Sequence, residues 1–151
     1  MLDKIFAALR GSDEPAAKKS DDLQIAVGAL LVEVATRDDV FDAAEGAAIS
    51  RLLAERFQLS STETAQLMKS AEDARNGSLE LYGFVRRLLR DMDEAQRIEV
   101  IEMLWEVVYA DGVLDAHEDA MIRKVAGLLY VSDYDRGAAR RRVREKLGLG
   151  A

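Results

Sequence analysis

No cysteine occurs anywhere in the 151 residues, so disulfides, zinc–thiolate sites and thiol chemistry are excluded. Proline occurs once and glycine ten times, too few for a loop-dominated or β-rich chain. No apolar run approaches the ~20 residues needed to span a bilayer. There is a single histidine, so no histidine cluster can build a zinc site. No serine–histidine–acid order and no phosphate-cradling glycine loop is present either. Basic charge is also short: the net charge of −7 argues against a general nucleic-acid binder, which needs a basic face.

What is present is abundant Ala, Leu, Glu, Arg and Asp, all compatible with helix. With 49% hydrophobic and 32% charged residues, the chain suits one globular domain with a substantial core. The charge is divided. Between Arg136 and Lys146 stand six basic residues and one acidic, a local +5, which leaves −12 on the remainder. An acidic body and a basic tail follow.

Along the chain, Leu2, Ile5, Phe6 and Leu9 fall at helical spacing and predict a short amphipathic N-terminal helix. It lacks the apolar stretch and cleavage site of a signal peptide, and the expected address is cytoplasmic. Its bland role is docking onto the domain or fraying; the rival is contact with a membrane surface through residues 1–10. Gly11-Ser12-Asp13-Glu14-Pro15 breaks it, and a polar linker is expected to Asp22, so the domain proper is placed at residues 23–151. Helices are predicted near 21–37, 42–57, 60–75, 78–90, 93–111, 115–129 and 132–147. Ser60-x-x-Glu63, Asp93-x-x-Gln96, Asp42-x-x-Glu45 and Asp115-x-x-Glu118 have the form of capping boxes. Ser78 and Ser132 are further N-cap candidates, and Asn76-Gly77 and Gly112 are helix stops. No segment alternates as a half-buried strand would, so the expected fold is an all-α bundle of about seven helices.

A repeat runs through it. Residues 31–49 aligned on residues 104–122 match at ten of nineteen positions without a gap, acidic and apolar positions alike. With one residue dropped, Phe57-Gln58-Leu59-Ser60 then falls on Leu129-Tyr130-Val131-Ser132. A duplicated helical hairpin packed about a pseudo-two-fold axis is the natural product. Leu31, Val34, Ile49, Leu52 and Leu53 are expected to share one core with Leu104, Val107, Val108, Ile122 and Val125.

Each copy carries an acidic elbow between its helices: Asp38, Asp42 and Glu45 in the first, Asp111, Asp115 and Glu118 in the second. Two readings fit. In one, Asp42 and Asp115 are N-caps, with Glu45 and Glu118 as their capping-box partners. In the other, the carboxylates gather a hard divalent cation through oxygen; the spacing is not that of an EF-hand loop. The two are compatible.

The elbow Ala110-Asp111-Gly112-x-x-Asp115-x-x-Glu118, with Ile122 on the helix that follows, is similar to the signature of the TerB (tellurite-resistance B) family. So is the earlier elbow, Asp38-Asp39-Val40-Phe41-Asp42-x-x-Glu45, and the resemblance covers roughly residues 23–147. It implies a helical bundle with internal pseudo-symmetry, in a bacterial stress-associated module linked to tellurite resistance and phage defence. It further implies divalent-metal binding (Ca²⁺, Mg²⁺ or Mn²⁺) at Asp38, Asp42, Glu45, Asp111, Asp115 and Glu118. Glu33 and Glu106 are weaker candidates. Related domains stand beside J-domains in membrane-linked co-chaperones. The added N-terminal helix and the arginine-rich last helix depart from the family pattern.

Other features have plainer explanations. His117 lies in the second elbow, but its counterpart in the first is Ala44, which weighs against a role as ligand or general base. Trp105, Tyr109, Phe57 and Phe84 read as core aromatics. Arg136, Arg140, Arg141, Arg142, Arg144 and Lys146 are expected to face solvent or pair with the acidic body; the rival is an acidic partner surface, anionic lipid or RNA. The leading expectation is a non-enzymatic module that binds a cation or an unidentified protein partner through its elbows. The alternatives are an adaptor docking through the arginine helix and, less favoured, a carboxylate-dependent metallo-hydrolase.

Overall fold

The computed structural model describes residues 16–36, 43–76, 81–110, 114 and 116–150, with backbone only for 16–20 and Asn76. Its elements are α1 (Ala16–Ala35), α2 (Ala43–Phe57), α3 (Ser61–Asn76), α4 (Leu81–Asp91), α5 (Glu94–Val108), α6 (Ala116–Leu128) and α7 (Asp133–Lys146). No strand occurs among the described residues. All seven domain helices expected from the sequence are present. The N-terminal helix over residues 1–10 lies outside the described residues.

The largest departure from the expected boundaries is at the start of the first helix. Helix α1 begins at Ala16, so Ala16–Asp22 is helical where a polar linker was predicted. Pro15 explains the start: a proline ends no helix when it stands just before one, and Ala16, Ala17, Lys18 and Lys19 are good helix formers. Asp22 is held from outside the helix by Arg87 of α4, at 3.4 Å.

Where the caps can be inspected, the chemistry is as the sequence states it. Ser60 Oγ accepts from the Glu63 amide at 3.1 Å, while the Ser60 amide donates to Glu63 Oε1 at 2.9 Å. Asp93 and Gln96 exchange the same pair of bonds, both at 2.9 Å. Ser132 Oγ accepts from the Asp135 amide at 3.1 Å and starts α7. Ser78, Gly77 and Gly112 lie outside the described residues.

The repeat extends further than the sequence indicated. Helix α1 packs most extensively on α3, as α5 does on α7. The duplicated unit is therefore three helices, with α4 between the copies and seated on α1. The turns between second and third helices match in detail. Gln58 (φ 54°) and Tyr130 (φ 58°) both adopt the left-handed conformation at equivalent positions. Leu59 donates to the Ala54 carbonyl (3.0 Å) and Val131 to that of Ala126 (2.9 Å), the six-to-one bond of a Schellman stop in each copy. The third helices are fastened alike: Arg75 reaches Glu33 at 2.7 Å, and Lys146 reaches Glu106 at 3.2 Å. Glu33 and Glu106 are repeat mates.

All ten expected core residues are buried, in one cluster with Leu30, Leu88, Ile101 and Leu129. The copies cross at this cluster, α2 lying on α5 and α1 touching both α5 and α6. Where α1 meets α3 the backbones approach closely: a Cβ on Gly28 would stand 3.0 Å from that of Ala71. Phe84 and Trp105 are buried and Phe57 packs against the cluster, as expected of core aromatics.

Candidate functional site

Of the six elbow carboxylates, Asp38, Asp42, Asp111 and Asp115 lie outside the described residues. Glu45 and Glu118 can be placed. They stand in the first turns of α2 and α6, at equivalent points of the repeat, and are only 6% and 5% exposed. Such burial is unusual for a glutamate at the start of a helix. Glu63, whose part in a capping box is complete, is exposed. Its carboxyl is held below the ordinary glutamate range, first by the Ser60 backbone amide and then by the Ser60 side chain.

Glu45 and Glu118 are thus far more enclosed than the capping Glu63. Helix N-terminal amides favour negative charge there, yet exposure would serve that purpose equally. Removing a carboxylate from water requires hydrogen bonds or countercharge around it. As donors, buried carboxylates suit hard oxygen-seeking cations such as Ca²⁺ or Mg²⁺. Among the described residues, no group of three or more histidine or acidic side chains is arranged to hold a metal ion.

The other acidic candidates are engaged elsewhere. Glu33 pairs with Arg75. Glu106 is 6% exposed and pairs with Lys146 at 3.2 Å and with Arg51 of α2 at 3.8 Å. It borders a groove of about 430 Å³ with Leu52, Glu55, Arg56, Glu99, Glu102 and Met103. The acidic lining there is matched by cations: Arg56 meets Glu99 at 3.1 Å, and Arg142 meets Glu102 at 2.6 Å. His117 is exposed.

The basic helix is sorted by face. Arg136, Arg142 and Lys146 pair with Asp133, Glu102 and Glu106. Arg140 and Arg144 lie instead over the rings of Trp105 and Tyr109, at 5.6 and 5.4 Å. Arg140 Nε also donates to Tyr109 Oη at 2.6 Å, and Trp105 Nε1 to the Arg136 carbonyl at 3.3 Å. Tyr109 and Trp105 are core on one side and a seat for arginine on the other, which composition alone did not reveal. The signal was available: Trp105 of α5 and Tyr109, which caps its C-terminus, are four apart, as Arg140 and Arg144 are on α7.

The fold and elbows together define a class, a duplicated six-helix module with an added connecting helix and a buried glutamate at the head of each second helix. Residues 24–141 match the family model described as "Tellurite resistance protein TerB", and the chain belongs to that family. No curated protein and no solved structure matches it. The family is a helical domain not known as a catalytic fold. No helix among the described residues is long and apolar enough to cross a membrane.

Proposed function

We propose that this chain is a non-catalytic TerB module, serving a tellurite-linked stress response, which takes up a divalent cation at its acidic elbows. The observation that carries the reading is the matched burial of Glu45 and Glu118. A purely structural cap asks for a carboxylate near the helix amides, not for one withdrawn from solvent in both copies. Asp38, Asp42, Asp111 and Asp115 would complete the oxygen donor set, with Ca²⁺, Mg²⁺ and Mn²⁺ as the candidate ions.

The test is a thermal melt of metal-stripped protein with increasing Ca²⁺, Mg²⁺ or Mn²⁺. A cation that binds only the folded state raises the midpoint saturably. The rise should shrink in Asp111→Asn/Asp115→Asn and vanish when Asp38→Asn/Asp42→Asn is added. No rise with any of the three ions would refute metal binding and leave the elbows as helix caps.

A further inference from the structure

Gly137, Arg140, Arg141 and Arg144 stand at i, i+3, i+4 and i+7 of α7, which is one face of a helix. They line a groove of about 430 Å³. Two of the three guanidinium groups are held in place. Arg140 is fixed by the Tyr109 hydroxyl and the Trp105 ring, and Arg144 by the Tyr109 ring and by donation to the Leu149 carbonyl at 2.9 Å. Arg141 folds back over the glycine: its Nη1 lies 3.7 Å from where a Gly137 Cβ would stand.

Among the described residues, no carboxylate lies within ion-pairing distance of Arg140, Arg141 or Arg144. The aromatic rings orient the guanidinium groups but carry no net charge. Three like charges therefore share one groove, while their neighbours Arg136, Arg142 and Lys146 are neutralised.

Gly137 has no conformational reason to be glycine. It sits inside α7, and an added Cβ would meet nothing closer than ordinary contact. A mid-helix glycine is less favourable than alanine, because it gives up more backbone freedom on folding. What it provides is a shallow notch between the arginines, over which the Arg141 guanidinium lies.

We propose that this groove binds a phosphate-type oxyanion carried by a small soluble molecule. Planar guanidinium forks suit tetrahedral oxyanions, and pre-positioning them lowers the entropy lost on binding. Size is set by the remainder of the chain. With −12 outside residues 136–146, an extended polyanion or an anionic membrane would meet repulsion beyond the arginine face. A compact dianion meets only the arginines. The site stands on α7 and is independent of the cation proposal.

The experiment is a titration of the full chain with inorganic phosphate, then pyrophosphate, in chloride buffer at constant ionic strength, following the arginine Nε–H signals by NMR. Saturable shifts are expected for Arg140, Arg141 and Arg144, with those of Arg136 and Arg142 nearly still. Arg141→Gln should weaken binding about tenfold, the cost of one charge-assisted contact. Gly137→Glu should abolish it, by placing a carboxylate in the notch three and four residues before Arg140 and Arg141. Both positions lie off the buried core, and unchanged melts would show that the variants fold. Linear, non-saturating shifts would overturn the assignment, as would phosphate binding that persists undiminished in Gly137→Glu. Tight binding to an oligonucleotide or to anionic vesicles, without a phosphate response, would overturn it as well.

Discussion

At the level of single residues, the groups packed around an acidic side chain decide what it does, even at equivalent positions of the repeat. Glu63, Glu33 and Glu106 are all glutamates on helices, yet one caps, one makes a half-exposed ion pair and one is buried between two cations. The capping role has a pH signature. The folded-state pKa of Glu63 is lowered by the Ser60 amide and hydroxyl. Its contribution to stability is therefore complete above the unfolded-state pKa and is lost as pH falls through the lowered value. A carboxyl-detected NMR titration should place Glu63 below an ordinary glutamate, and Ser60→Ala should move it back partway, since the backbone donor remains. Burial of Glu45 and Glu118 was not legible in the sequence. A glutamate three residues after an N-cap reads as solvent-facing, and nothing in Asp42-x-x-Glu45 or Asp115-x-x-Glu118 marks the side chain as enclosed.

Elements were read more fully, because their signals are local. Periodic apolar positions mark all seven helices and the Ser60, Asp93 and Ser132 caps mark three of their starts, whereas the early start at Ala16 lies in a charged stretch whose polarity resembles that of a loop. In the sequence the repeat is legible to the start of the third helix and no further, for a physical reason. Helices α3 and α7 are amphipathic segments with different surface sequences, so beyond the matching turns and serine starts it is their packing and the Glu33–Arg75 and Glu106–Lys146 ties that show the kinship. The turns that lead into them carry a stability prediction. Gln58 and Tyr130 hold left-handed backbone without being glycine, at a cost of roughly 1 kcal/mol each. Gln58→Gly and Tyr130→Gly should each raise unfolding free energy by up to ~1 kcal/mol in urea titrations, the Cβ penalty being relieved at each Schellman stop. The opposite change applies at Gly28. A Cβ added at Gly28 would already stand 3.0 Å from that of Ala71, and the two methyl groups of a valine crowd the contact further, so Gly28→Val should cost about 1–3 kcal/mol by the same titration.

At the level of the molecule, the basic tail belongs to the body. Ala139 and Val143 are buried in the common core, and Arg142 and Lys146 fasten α7 to α5. Deleting residues 136–151 should therefore lower the melting temperature sharply rather than leave a folded body without its tail. Circular dichroism would distinguish the two, since loss of helix well beyond the deleted segment is expected. Functions of the arginines are better probed by single charge changes, which leave Ala139 and Val143 in place.

The position of α4 has a consequence for how the two copies depend on each other. By connectivity α4 precedes the second copy, yet it lies on α1 of the first, with Arg87 reaching back to Asp22. The second copy in turn receives Arg51 and Arg56 from α2 at Glu106 and Glu99. A chain severed between Asn76 and Leu81 would then yield two fragments, each lacking a surface that only the other supplies. Neither should hold its helices alone. Mixed in equal amounts, they should recover the helical signal together, a duplicated protein whose halves complement one another and cannot substitute for one another.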